Sequence, residues 1–450
     1  MFPVAKVLRG QNVKNQTAPM NIFNLPTLVS AAVVTTLLCS QPSLLAQSAV
    51  GGFSKDGVED TSRGVDLGTG KFAAFPFHVS VSVRGGYDDN VNLTSFDEQG
   101  SAFSSVQLGL TYNFGSPRTV MSLTAGGGFT YYFDRTEDGF DGGDSDDFDV
   151  NGFMSFAITH KATPRLTLSA NMYATYQSRP DFQTVNFGTI SFGRQSQNYF
   201  FTVNKFSLGY AWTPRFSTVS SYTLGYTDYD DEVVSTFQDR FEHTIGNEFR
   251  FLVAPTTSLI AEYRFGIVDY TETSDRNSTS HFFLGGVDHS FSPRFNLSAR
   301  GGVEVRSYDN NNALLGDGDE ASPYAEFTLN YAVAQNTSLS WTNRYGIAES
   351  YVPESLNSRS YRTALSLRHS FTPRITAGLN VAYQNDDYDG NANSPAFTEN
   401  SIDTLLWARY AINRTWAVDL GYQHTQVFSN EALFREYTRN RVYGGVTFTF

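Results

Sequence analysis

Cysteine is all but missing: Cys39 is the single one in a chain of 450 residues. That count excludes a disulfide framework and a cysteine-built metal site, and it fits an exported protein that does without cross-links. Beyond residue 50 there is also no apolar stretch near the ~18 residues of a membrane helix, so a membrane-embedded form of this chain must cross with strands. Positive charge is in deficit. The formal net charge of -13 disfavours nucleic acid as a partner. The histidines His160, His243, His281, His289 and His424 fall on or near strand positions without metal-ligand grouping, and no Ser, His and acid set orders into a triad. Neither an enzyme nor a cofactor is expected.

What is plentiful is aromatic side chains, 38 Phe and 25 Tyr, and a period of two. Phe77, Val79, Val81 and Val83 alternate with His78, Ser80, Ser82 and Arg84, which gives an extended segment one apolar and one polar face. The device returns in Val106, Leu108, Leu110, Tyr112 and Phe114, and again in Met121, Leu123 and Ala125 against Ser122, Thr124 and Gly126. Its last appearance is the closing run from Arg439 to Phe450. There Asn440, Val442, Gly444, Val446, Phe448 and Phe450 share one face, while Arg439, Arg441 and Tyr443 fall on the other. An apolar edge of this kind invites aggregation in a soluble sandwich. It is accommodated if the last strand closes a barrel in lipid.

Between paired runs a short motif recurs: Ser116-Pro-Arg118, Thr163-Pro-Arg165, Thr213-Pro-Arg215, Ser292-Pro-Arg294 and Thr372-Pro-Arg374. Weaker copies stand at Ala254-Pro-Thr-Thr257, Ala334-Gln-Asn-Thr337 and Ile412-Asn-Arg414. Proline is pre-set for the second position of a tight turn, and Ser or Thr before it bonds back to the chain. Successive copies are about 40 to 50 residues apart, so each repeat holds two strands and one long polar loop. Short turns at one end and long loops at the other predict an all-β fold: a transmembrane antiparallel up-and-down barrel of about eighteen strands, with periplasmic turns and extracellular loops. Phe114, Trp212, Phe216, Phe291, Phe295, Phe371 and Trp416 crowd the turns and read as an aromatic girdle. A propeller or solenoid shares the repeat length, but a propeller blade needs four strands per repeat.

Upstream of the barrel the sequence reads as an address. Lys6, Arg9 and Lys14 precede an apolar run over residues 25–38, and Ala46 offers a small residue for cleavage before Gln47. The expected organisation is a signal peptide over 1–46, a polar Gly-rich lead-in over 47–75 and the barrel over 76–450.

The run Arg84-Gly-Gly-Tyr-Asp-Asp-Asn-Val-Asn-Leu93, the Thr-Pro-Arg turns and the terminal Gly-Val-Thr-Phe-Thr-Phe450 resemble the porin-type outer-membrane barrels found beside exopolysaccharide and surface-sorting genes in Gram-negative bacteria. The resemblance covers most of the chain after residue 75. It implies the outer membrane as location, with outer-membrane lipids, lipopolysaccharide and the barrel-assembly machinery as partners. Tyr443, Val446, Phe448 and Phe450 are then an assembly signal.

Placing the polar faces inward puts Glu262, Arg264, Arg300, Glu304, Arg306, Glu326, Arg344, Arg362 and Arg368 in the lumen. Arg264, Glu326 and Arg344 each stand seven residues from a short turn and should share a height. Charged rings select solutes by sign, whereas a ladder of inward ion pairs only braces neighbouring strands. The acidic loops at 134–149 and 309–320 lack calcium-loop spacing and read as solvated. Since sixteen to eighteen strands leave an aqueous bore, the expected function is a water-filled diffusion channel for small hydrophilic solutes, with a mild anion preference from the arginines. An accessory role in exopolysaccharide or surface-protein export, or a non-conducting structural or adhesive role, are the alternatives.

Overall fold

In the computed structural model, residues 77–135, 147–178, 197–309, 319–352, 355–390, 395–430 and 435–450 are described. The signal and lead-in segments, and most of both acidic loops, lie outside them. The period-two runs form eighteen strands: β1 (Phe77–Asp88), β2 (Ser101–Gly115), β3 (Thr119–Tyr132), β4 (Phe148–Lys161), β5 (Leu166–Gln177), β6 (Tyr199–Ala211), β7 (Phe216–Tyr229), β8 (Arg240–Ala254), β9 (Thr257–Tyr270), β10 (Ser278–Ser292), β11 (Phe295–Tyr308), β12 (Asp319–Ala334), β13 (Thr337–Glu349), β14 (Asn357–Ser370), β15 (Ile375–Tyr388), β16 (Phe397–Ala411), β17 (Trp416–Ser429) and β18 (Tyr437–Thr449). Each pairs antiparallel with its chain neighbours, and β18 pairs with β1, so the sheet closes on itself. A 14-residue strand tilted by ~40° rises about 35 Å, enough to span the ~25 Å apolar band with both rims.

The tight turns work as their composition dictates. Thr163 Oγ1 accepts the amides of Arg165 (3.2 Å) and Leu166 (3.0 Å), and Thr213 and Thr372 repeat the pattern. Asn413 substitutes its amide oxygen at the same place, accepting from Thr415 N and Trp416 N at 2.9 Å each. At Ala254–Thr257 and Ala334–Thr337 the two end residues pair directly, with a bulge one step before.

Closure is made by backbone and by charge. Val79 and Phe450 exchange amide hydrogen bonds of 3.0 and 2.9 Å, which places the terminal aromatic, 64% exposed, on the outer surface. Phe448 rests against Trp416 and Phe450, while Tyr443 turns to the lumen below the Arg84 guanidinium, 5.3 Å from it. Further along the seam Arg439 Nε donates to both Asp88 oxygens, at 2.9 and 3.1 Å.

Two features depart from the sequence reading. The connection between β7 and β8, expected as plain loop, holds the short helix α1 (Glu232–Gln238), because Asp231 caps it by accepting from Val233 N and Val234 N at 2.9 and 2.8 Å. The inner face is also less polar than alternation suggests. Phe103, Tyr199, Phe201, Phe282, Leu284 and Tyr324 turn inward and form small buried clusters near the long-loop end.

Candidate functional site

Alternation sorts the wall into a lipid face and a lumen. Ile245, Phe249, Leu259, Phe283, Leu406 and Leu420 project outward and are exposed on the bare barrel, as are Trp212, Phe291, Phe371 and Trp416 at the short-turn rim. Inward residues follow a gradient along the axis. On β2, Asn113 is exposed near the short turn, Thr111 is half-buried, and Gln107, Ser105, Phe103 and Ser101 are buried in succession. On β14, Ser366 is exposed while Arg362, Ser360 and Ser358 are buried. The bore is therefore wide at the short-turn end and filled toward the long-loop end, which differs from the uniformly open lumen that strand number alone suggests.

The predicted inward charges meet as ion pairs. Arg264 grips Glu262 through Nε and Nη2 (2.6 and 3.0 Å) and reaches Glu326 through Nη2 (2.7 Å), while the Tyr324 hydroxyl donates to the other Glu326 oxygen (2.6 Å). Glu326 and Arg344 are direct cross-strand partners, so the three residues equidistant from their turns stand together. Toward the short-turn end, Arg300 Nη1 donates to Asp288 (2.9 Å), and Arg250 pairs with both Glu248 (2.6 Å) and Asp288 (3.2 Å). Toward the other end, Arg306 bridges Glu304 (2.9 Å) and Glu349 (2.6 Å), and Arg240 holds Glu242 (3.0 Å). Arg344 Nη2 donates to the Ile347 carbonyl (3.1 Å), Arg362 donates to Ser360 Oγ and the Tyr351 hydroxyl (3.2 and 3.0 Å), and Arg368 sits half-buried near the short turn. Lys205 on β6, which alternation also points inward, lies within electrostatic reach of Glu248, Glu262 and Glu326. It escaped the sequence reading because its strand carries no other charge.

Part of the filling at the long-loop end comes from β13. β13 stays paired with β12 only as far as Tyr345, opposite Ala325, yet continues along β14 to Glu349, opposite Asn357. Beyond the split, β12 carries Pro323, which has no amide to offer a partner. Ile347 shares the outward phase of Tyr345 but is 0% exposed, and the Arg359–Glu320 pair (2.9 Å) joins β14 to β12 past it. The end of β13 is thus tucked inside the wall. Gly346 permits this, since a Cβ there would stand 2.8 Å from the Tyr324 ring.

Of the connection between Glu349 and Asn357, read from sequence as an outer loop, residues 350–352 and 355–356 are described, and they lie buried inside the wall as a strap. Glu349 accepts from Tyr270 OH (2.8 Å) and Arg306 (2.6 Å), on strands β9 and β11. The Ser350 carbonyl accepts from Gln238 Nε2 (3.0 Å) and Arg276 Nη2 (2.8 Å), and Arg276 also reaches the Ser355 and Phe237 carbonyls (3.1 and 2.5 Å). Tyr351, Val352 and Leu356 are all buried, but the sequence does not single them out, since the loop over 178–197 also carries Phe182, Phe187 and Phe192.

An exposed apolar belt of this height is stable only in hydrocarbon, and a closed sheet leaves no unpaired edge there. The molecule is an outer-membrane β-barrel of porin type. Residues 64–450 match the family model described as Putative beta-barrel porin 2, and the chain belongs to that family. Among solved structures it is similar to OccK9 (OpdG) of Pseudomonas aeruginosa, with 12% identity over 83% of this chain and 98% of that one at a TM-score of 0.43. It is also similar to OccAB3 of Acinetobacter baumannii (13% identity, 83% and 99% coverage, TM-score 0.41) and to a BenF-like porin from Pseudomonas fluorescens Pf-5 (9% identity, 83% and 98% coverage, TM-score 0.43). No curated protein matches the sequence.

Proposed function

We propose that the barrel is a diffusion channel for small hydrophilic solutes, with the strap as its size filter. The observation that carries this reading is the gradient of the lumen: a wide polar bore at one end leading to a constriction whose charges are mutually paired. Arg264, Arg300 and Arg306 face carboxylates at 2.6 to 2.9 Å, so little of their field is left for a passing ion. The mild anion preference expected from counting arginines is correspondingly weak. Strands β2, β3, β5 and β7 carry almost no inward charge and offer Ser, Thr and Asn groups instead, including Thr111, Asn113, Ser122, Ser169 and Ser221, which are exposed or half-buried. Such a wall suits neutral, hydrogen-bonding solutes. Purified folded protein should give steady conductance in planar bilayers, with reversal potentials near zero under a salt gradient, and should let small neutral sugars swell liposomes. Absence of both conductance and swelling would assign the barrel to the structural class.

A further inference from the structure

Charge is sorted between the two ends of the barrel. The short turns and their flanks, 113–121, 159–167, 210–218, 252–259, 290–297, 332–339, 369–377 and 410–418, contain no Asp or Glu, whereas outward positions next to the long loops carry Asp228, Asp269 and Asp387. Every lysine and arginine in those turn segments is exposed, and none pairs with a carboxylate among the described residues. The densest part of this cationic rim is the notch between the β2–β3 and β4–β5 turns, where Arg118, Lys161 and Arg165 meet. Their backbones are fixed along one edge: the Arg118 carbonyl accepts from Lys161 N (2.7 Å), and the Arg165 carbonyl accepts from Ala211 N (2.9 Å). His160 joins them on the outer face. It stands opposite Thr119, with Nδ1 2.8 Å from Thr119 Oγ1. With the hydroxyl donating, Nε2 carries the ring proton and is left open to an acceptor outside the wall. Three cations and a ring N–H without a carboxylate make a donor set for phosphate oxygens.

The second observation is a groove of about 690 Å³ that begins at His160 and climbs the lipid face. Its floor is low because Ala170 and Ser220 are small, while Leu168, Phe206, Leu208 and Ile245 stand up around it, exposed by 40 to 56%. It crosses from β4 to β8, which is four strand spacings of about 4.8 Å, or roughly 19 Å. One leaflet of a ~30 Å hydrocarbon core asks a chain to cover about 15 Å. The polar groups in the lining bond to neighbours and not across the groove: Ser220 Oγ donates to Asn247 Oδ1 (2.8 Å), and the Tyr222 hydroxyl lies 2.9 Å from His243 Nδ1. An apolar channel that starts at a cluster of phosphate donors has the outline of a single amphiphile.

We infer that this notch and groove bind one anionic phospholipid, its phosphate held by Arg118, His160, Lys161 and Arg165 and an acyl chain laid along Ala170 and Ser220. Short turns face the periplasm in barrels of this class, so the ligand is a glycerophospholipid of that leaflet. The long arginine and lysine side chains reach the headgroup level from the rim, as such side chains do at membrane boundaries. Continuity between the cationic notch and the apolar groove is what selects a lipid over a free anion, and the missing carboxylates are what select a net negative headgroup over a zwitterionic one.

The test uses the full-length barrel, delipidated and folded in detergent at low salt, with heat-modifiable mobility as the check that each variant is folded. It is titrated with phosphatidylglycerol or with phosphatidylcholine of the same acyl chains, and bound lipid is counted by native mass spectrometry. Phosphatidylglycerol should be retained at least tenfold more tightly. The Arg118→Gln/Lys161→Gln/Arg165→Gln variant should lose affinity for it by on the order of fivefold per cation removed, while Arg374→Gln/Arg414→Gln, on another part of the same rim, should lose none. Ala170→Phe, which fills the groove from a lipid-facing position, should weaken binding of both lipids several-fold. Equal binding of the two lipids, or equal losses in the two charge variants, would reduce the site to a diffuse charged rim and overturn the inference. Unchanged binding in Ala170→Phe would overturn it too, as would a wild-type dimer that Ala170→Phe dissociates, which would give the groove to a second copy of the chain.

Discussion

Arg306 and Arg359 both hold the strap region in place, and their surroundings rank them. Arg306 is almost fully enclosed with Glu304 and Glu349, whereas Arg359 is 44% exposed beside Glu320. Removing one partner of an enclosed pair strands the other charge and costs about 3–5 kcal/mol; an exposed pair contributes about 0–1 kcal/mol. Arg306→Gln should therefore lower the thermal transition of the folded barrel clearly, and Arg359→Gln scarcely at all, as read by the temperature of gel-mobility change. Equal effects would mean that water reaches Glu304 and Glu349. Asp239, outside the strands at the end of α1, offers a pH test. Burial pushes its carboxyl up to about 6, and the neighbouring Asp228 adds to this against the lowering by its bond from Tyr229 N. A carboxyl raised in the fold contributes stability that is complete below its unfolded value, near 4, and is lost as pH rises through 6. The α1 connection should accordingly resist proteolysis better at pH 5 than at pH 7.5, and Asp239→Asn, which still accepts from Tyr229 N, should remove the difference.

At the scale of elements the proposed size filter is the strap. Gly346→Leu would drive a side chain into the Tyr324 ring, and Arg276→Ala would release three carbonyls at once. Each substitution should increase single-channel conductance several-fold without changing the strand content seen by circular dichroism. Unchanged conductance from both would place the narrowest point elsewhere. The strands themselves were legible because their signal is local: alternation decides the face, and Thr-Pro-Arg decides the turn. The strap was not, because its cause is distributed. Pro323 ends one ladder, Gly346 admits a ring from the neighbouring strand, and Glu349 finds its arginine on β11, two strands away across the curve of the wall. Sequence spacing carries no trace of such a contact.

For the whole molecule, orientation is the property most open to test. Short turns face the periplasm in barrels of this class. Val233→Cys, at an exposed position on α1, should react with an impermeant thiol reagent on intact cells in a Cys39→Ser background, whereas Ser116→Cys should react only after lysis. The opposite pattern would invert the barrel. Alternation puts the charges on one face of their strands, and Arg264, Glu326 and Arg344, at equal spacing from their turns, lie near one another in the structure. Their pairing could not be read from the chain, since it depends on how far a side chain reaches around a closed wall.

Arg276 and Gln238 hold the strap by the carbonyls of Ser350 and Ser355. A grip on the peptide backbone is blind to side-chain identity. Tyr351 and Val352 are held differently, by the Arg362 guanidinium and by Tyr388 and Phe397, so the docking of the strap divides between positions where any residue serves and positions where the side chain itself is gripped.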